Sequence, residues 1–188
     1  MLISLVGFMG AGKTGVGKVL AQRLGWRFLD LDDLVESREA RSIADIFAAS
    51  GETGFRYAES QALKELLTAK SLSETSIVLA LGGGAICQTD NQEVLERANS
   101  VIVFLSASAQ ELWQRCVTKQ TLGTETRPRP LLRDEASFKQ LYAERLPHYE
   151  RAQIQVTTSG KSVEQTAEEV HSALLKGGWL PKVTDANA

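Results

Sequence analysis

The segment Gly7-Phe8-Met9-Gly10-Ala11-Gly12-Lys13-Thr14 constrains this chain more than any other. It satisfies G-x-x-x-x-G-K-[ST] in full. An apolar run, Ile3–Val6, precedes it, and Val16, Leu20 and Leu24 recur after it at helical spacing. A strand, a glycine-rich loop and a helix in that order make a phosphate cradle. Gly10 and Gly12 let the loop bend inward, so that backbone N–H groups converge on phosphate oxygens. The helix N-terminus adds partial positive charge. The nucleotide-binding set is therefore Gly10, Ala11, Gly12, Lys13, Thr14 and Gly15. Lys13 is expected to reach the β- and γ-phosphates, and the Thr14 hydroxyl to ligate Mg²⁺. The bland alternative is a chance glycine turn, and the flanking strand and helix argue against it. The loop calls for a nucleoside triphosphate and is silent on what receives the phosphate.

The rest of the chain repeats the same rhythm. Strand candidates are Ile3–Val6, Arg27–Asp30, Ile77–Leu81, Val101–Leu105 and Ile154–Thr157, with helical patterns between them. Capping patterns at Ser42–Asp45, Ser108–Glu111 and Ser162–Gln165 mark helix starts. Alternating strands and helices imply an α/β fold, a parallel sheet covered on both faces. With 188 residues, one domain is expected. It spans 1–176, and 177–188 reads as a flexible tail. The stretch 118–134 breaks the rhythm. It is polar, holds Pro128 and Pro130, and carries Arg127, Arg129 and Arg133, which suits a lid over a phosphate site.

Acids follow the second strand: Asp30, Asp32 and Asp33. In an open parallel sheet the ligand crevice lies at the carboxyl ends of the strands. Period-2 alternation would put Asp30 and Asp32 on one side, one near Mg²⁺ and one near an acceptor hydroxyl. The competing reading is that Asp32 or Asp33 merely caps the next helix. Gly82-Gly83-Gly84 ends the third strand and permits close approach of a ligand to backbone, or is a plain turn. Arg56 and Glu59 stand three apart on a helix and can pair, leaving the outer guanidinium edge for an anion. Arg145 has the same two readings, anion clamp or surface ion pair.

Taken in order, these motifs resemble the shikimate kinase family: the phosphate loop, Asp30-x-Asp32, Ser42-Ile-Ala-Asp-Ile-Phe47, Gly51-Glu-x-x-Phe55-Arg56-x-x-Glu59, Gly82-Gly-Gly84-Ala, Arg129-Pro-Leu-Leu132 and Arg145-x-Pro-x-Tyr149. The matching blocks run from residue 3 to about residue 170. The resemblance implies a three-layer P-loop NTPase fold with a five-stranded parallel sheet in the order 2-3-1-4-5. It implies ATP-dependent phosphorylation of the 3-hydroxyl of shikimate, with one Mg²⁺ bound alongside ATP. Lys13, Asp32 and Arg129 would be catalytic, and Arg129 would also bind ATP from the lid. Thr14 would hold the metal directly and Asp30 through water. Arg56 and Arg145, with the Gly83 backbone in the Gly82–Gly84 turn, would bind the shikimate carboxylate, within a substrate region of about 32–60. Phe47 and Phe55 would wall the ring. Adenine would lie near the lid base and the Thr157–Ser162 loop, with Arg115 and Lys119 both open as its neighbour and Arg127 open as a substitute for Arg129.

Charge and composition narrow the alternatives. Twenty-one Lys and Arg against 23 Asp and Glu leave a formal charge of −2, which offers no footprint for nucleic acid. No apolar run is long enough for a bilayer, so no membrane association is expected. The N-terminus lacks a basic region before its apolar run and reads as a strand, not a signal peptide. Two cysteines, Cys87 and Cys116, are too few for a disulfide framework, so a cytoplasmic location is expected. The resemblance implies a monomer. The rivals are another small-molecule kinase, such as a gluconate kinase, and a catalytically silent nucleotide-binding relative.

Overall fold

A computed structural model describes residues 1–68, 75–123, 131 and 134–180. Five strands, β1 (Leu2–Val6), β2 (Arg27–Asp30), β3 (Ile77–Ala80), β4 (Val101–Ser106) and β5 (Ile154–Thr157), form one sheet in the order β2-β3-β1-β4-β5. Every neighbouring pair is parallel. Each strand matches its sequence expectation to within a residue at either end. All four residues of β3 are buried, as a central strand covered on both faces requires. On the edge strand β5 burial alternates, with Ile154 and Val156 inward.

The helices are α1 (Lys13–Leu24), α2 (Leu31–Glu39), α3 (Ile43–Thr68), α4 (Thr89–Arg97), α5 (Ala109–Thr121), α6 (Glu135–Tyr149) and α7 (Val163–Lys176). A 3-10 turn, Ala85–Cys87, follows the triple glycine. The three expected helix starts are present, with differing completeness. Ser162 and Gln165 make the full reciprocal box at α7: Ser162 Oγ accepts from the Gln165 N–H at 3.2 Å, and Gln165 Oε1 accepts from the Ser162 N–H at 2.8 Å. At α5, Ser108 Oγ accepts from the Glu111 N–H at 3.2 Å, while the Glu111 carboxylate turns to Arg115 and Ser159 instead. Ser42 Oγ accepts from the Asp45 N–H at 3.1 Å and donates to the Asp45 carboxylate at 2.6 Å. Helix α3 is two helical segments joined at Gly51, whose φ of 64° and ψ of −169° suit glycine alone.

The pairing register aligns the strand ends that build the site. Leu5 and Asp30 both pair with Ala80. The loops after β1, β2 and β3 therefore leave the same edge side by side. Aromatic packing anchors the first of them: Phe8 meets the rings of Phe138 and Tyr142 on α6 at 4.9 and 5.5 Å. The chain beyond α7, expected to be tail from residue 177, packs back as far as Leu180: the Trp179 N–H donates to the Leu174 carbonyl at 3.0 Å and Leu180 joins the core. Arg127, Arg129 and Arg133 of the expected lid lie outside the described residues, as does 181–188 of the expected tail.

Leu79 is fully buried at the middle of β3, between two paired strands. Leu79→Ala is expected to cost about 2–5 kcal/mol, the usual range for a leucine deleted from a packed core. The measurement is equilibrium urea unfolding of both chains.

Candidate active site

A cleft of about 470 Å³ opens at the carboxyl edge of the sheet. Its lining includes Gly10, Gly12, Lys13, Thr14 and Gly15 of the phosphate loop; Asp30, Asp32 and Asp33 after β2; Arg56 and Glu59 of α3; Gly82–Gly84; and Arg145 of α6. Of the sequence-predicted residues, Ala11 is the exception: it is buried behind the loop. Arg129 lies outside the described residues.

The loop is shaped by its glycines and closed by its lysine. Gly7, Gly10 and Gly12 all have positive φ, at 144°, 85° and 90°. A Cβ on Gly7 would stand 2.6 Å from the Leu105 carbonyl oxygen, so a side chain there meets fixed backbone. Lys13 Nζ donates to the Gly7 carbonyl at 2.8 Å and to that of Phe8 at 3.2 Å, which places the ammonium over the loop it belongs to. Arg115 of α5 braces the loop from outside. It donates to the Gly10 carbonyl at 3.4 Å, and to the hydroxyl and carbonyl of Thr158 at 2.8 Å each. Lys119 lines the cleft itself.

The two acids differ in role from the alternation argument. The chain turns helical at Leu31, so Asp30 and Asp32 are not successive residues of one strand face. Asp30 is the helix cap, not Asp32 or Asp33: its Oδ1 accepts from the Asp32 N–H at 3.1 Å. Its Oδ2 accepts from the Thr14 hydroxyl at 2.7 Å. Asp32 is carried into the first turn of α2 and still lines the cleft. The Thr14–Asp30 pair offers only oxygen donors, which suits a hard cation such as Mg²⁺. Among the described residues no cluster of three or more His, Cys, Asp or Glu could hold a metal ion by itself.

On the opposite wall, Arg56 and Arg145 converge. Arg56 Nη1 donates to Glu59 Oε2 at 2.8 Å, an ion pair in which the arginine side chain is 12% exposed and the glutamate 0%. Burial works against the Arg56 charge, but Glu59 and Glu52 outweigh it and hold its pKa above the ordinary value. Arg145 lies with its guanidinium 5.7 Å from the Phe8 ring centre, while Tyr149, one turn on, stacks against Phe104 and donates to the Gly83 carbonyl. The sequence suggested an Arg56–Glu59 pair and the structure contains it. Glu52, one turn before Arg56 in the segment that follows Gly51, takes the outer edge of Arg56, a contact the sequence reading did not single out. The Phe47 and Phe55 rings stand 4.9 Å apart beside this wall.

Glu59 is the buried hinge of the cluster. One oxygen holds Arg56; the other, Oε1, has no hydrogen-bond partner and approaches Gly82 so closely that a Cβ there would stand 2.2 Å away. Burial pushes the Glu59 carboxyl above its ordinary 4.5, Arg56 offsets this in part, and the Asp32 charge adds to the rise. A carboxyl with a raised native pKa binds its proton more tightly when folded. Its contribution to stability is complete below the unfolded value and lost as pH rises through the native one. Urea unfolding of the wild type and Glu59→Gln from about pH 4 to about pH 7.5 tests this. The stability of the wild type relative to the variant is expected to fall as pH rises; a constant difference would contradict the burial effect.

Comparison with known proteins follows the same lines. Residues 9–175 match the family described as shikimate kinase. A shikimate kinase of Symbiobacterium thermophilum is 38% identical over 182 residues, covering 95% of this chain and 98% of the relative. The structure of a shikimate kinase from Acinetobacter baumannii in complex with shikimate superposes with a TM-score of 0.81 at 35% identity, covering 94% of this chain and 93% of that one. A gluconokinase from Sinorhizobium meliloti has a TM-score of 0.61 at 19% identity, a likeness of fold alone.

Proposed function

Because the chain belongs to the shikimate kinase family, we propose that it transfers the γ-phosphoryl group of ATP to the 3-hydroxyl of shikimate, giving shikimate 3-phosphate for aromatic amino-acid biosynthesis. The observation that carries this reading is the pairing of a phosphate loop with one buried and one half-buried arginine across one cleft. A phosphoryl donor needs the first. An acceptor bearing a carboxylate needs the second, because the planar guanidinium fork matches a carboxylate with parallel hydrogen bonds. A gluconate-type acceptor also bears a carboxylate, so the family match, and not the clamp alone, decides for shikimate.

In the proposed mechanism, phosphoryl transfer asks the protein chiefly for positioning and charge stabilisation. The loop amides and Lys13 orient the β- and γ-phosphates, and Lys13 offsets the charge that develops between them. Kinases of this family use ATP with a divalent metal; here Thr14 would ligate Mg²⁺ and Asp30 would hold it through water, and the bound ion would neutralise phosphate charge. Asp32 orients the 3-hydroxyl and accepts its proton. Arg56, Arg145 and the backbone at Gly82–Gly84 hold the other end of the acceptor, with Phe47 and Phe55 along its ring. Arg129 enters on the family resemblance alone, as a lid arginine reaching the transferring phosphate. A monomer as the working unit rests on the family resemblance. A cytoplasmic setting rests on the low cysteine count of the sequence.

The test is ADP release measured with Mg-ATP and shikimate, with gluconate as the control acceptor. Release is expected with shikimate alone. Lys13→Ala is expected to lower kcat by about a hundredfold or more. Arg145→Ala is expected to raise the KM for shikimate by about tenfold or more, the effect of losing hydrogen bonds to a charged group. An unchanged KM would remove Arg145 from the clamp.

A further inference from the structure

The outer edge of the arginine clamp already holds a carboxylate, and it comes from the chain. Glu52 Oε1 accepts from Arg56 Nη2 at 3.0 Å, from Arg56 Nε at 3.3 Å and from Arg145 Nη2 at 3.5 Å. One oxygen therefore gathers three N–H groups from both guanidiniums. The two glutamates on Arg56 are not alike. Glu59 takes the inner edge and is 0% exposed, whereas the Glu52 side chain is 47% exposed. Glu59 is fixed by its burial, and Glu52 can swing into water at little cost.

Local structure explains how Glu52 reaches this place. Gly51 breaks α3, so Glu52 opens the second helical segment and stands one turn before Arg56. The positive end of that segment favours a carboxylate there, and the side chain leans over the cleft wall formed by Arg145. From the facing helix, Arg145 is 9% exposed at its side chain, so neither guanidinium has an open shell of water to fall back on. A carboxylate between them is what the geometry asks for.

We infer that Glu52 is a tethered competitor for the acceptor's carboxylate, released each time shikimate binds between Arg56 and Arg145 and returned when product leaves. The inference rests on the proposed acceptor and on the clamp. Two carboxylates cannot share the Nε–Nη2 edge of Arg56, since both accept and they repel each other. Binding is then an exchange of one carboxylate for another. The competent, uncovered clamp is only part of the population, and the apparent affinity is reduced by that fraction. The exchange also screens ligands: only an anion that makes more of both arginines than Glu52 does gains by entering.

Exchange leaves two marks that a merely structural glutamate would not. Removing the Glu52 charge tightens shikimate binding by about two- to fivefold, the range of a partly exposed ion pair. It also steepens the salt dependence, because a carboxylate now meets uncovered guanidiniums in place of displacing an equal charge. The experiment is calorimetric titration of shikimate into wild type, Glu52→Gln and Glu52→Asp at low and high salt, with thermal unfolding to verify the fold. Glu52→Gln is expected to bind more tightly at low salt and to lose affinity more steeply as salt rises. Glu52→Asp, one methylene shorter, falls between it and the wild type. Equal or weaker binding by Glu52→Gln with an unaltered salt slope overturns the inference and leaves Glu52 as a support for Arg56. A wild type that binds Mg-ATP but no shikimate overturns the acceptor itself, and the inference with it. The two failures are read from different chains in one experiment.

Discussion

All of the chemistry in this molecule hangs from one edge of a parallel sheet. Parallel strands point their carboxyl ends the same way, so the loops that follow them must open together. Here the register sharpens that rule. Leu5, Ala80 and Asp30 are paired across three adjacent strands. The phosphate loop, the triple glycine and the Asp30–Asp33 turn therefore start level with one another. Buried apolar side chains on β1, β3 and β4 hold those starts in place.

From that edge the cleft divides by charge. One side gathers Lys13, the loop amides and the Thr14–Asp30 pair, a set whose chemistry suits phosphates and a hard cation. The other gathers Arg56, Arg145 and two glutamates of very different burial. Glu59 acts as a permanent counter-ion whose position also explains the glycine at 82, where any side chain would strike its carboxylate. Glu52 acts as a replaceable one. In the proposed reading, the division between a fixed and an exchangeable carboxylate makes Arg56 and Arg145 a receptor that is neither left unpaired nor permanently filled. Helix α6 couples the two sides, since Phe138, Tyr142 and Tyr149 pack on the phosphate loop or bond the triple glycine around Arg145.

The sequence foretold much of this because its signals are short in range. Five apolar runs became five strands, and Gly7–Thr14 became a phosphate loop. Those outcomes depend on side-chain periodicity and on glycine's backbone freedom, which neighbours along the chain do not alter. Asp30 and Asp32 show where that reasoning stops. Their spacing is compatible with a strand or with a cap, and the choice fell to Leu31, which is fully buried and begins the helix there. Gly51 is similar: its identity permits a break, but only packing shows that the break occurs.

What the sequence by itself determined is the α/β layering, the nucleotide cradle and the list of residues able to bind an anion, since each follows from local pattern and residue chemistry. What only the tertiary structure decided is which of those residues meet. Arg56 and Arg145 are far apart along the chain, and their approach over one Glu52 oxygen depends on how α3 and α6 pack around the sheet edge. The Asp30 cap, the buried Glu59 and the reach of Arg115 to Thr158 have the same origin. Spacing along a chain fixes a side chain's nearest turn; burial and charge partners come from the elements that fold against it.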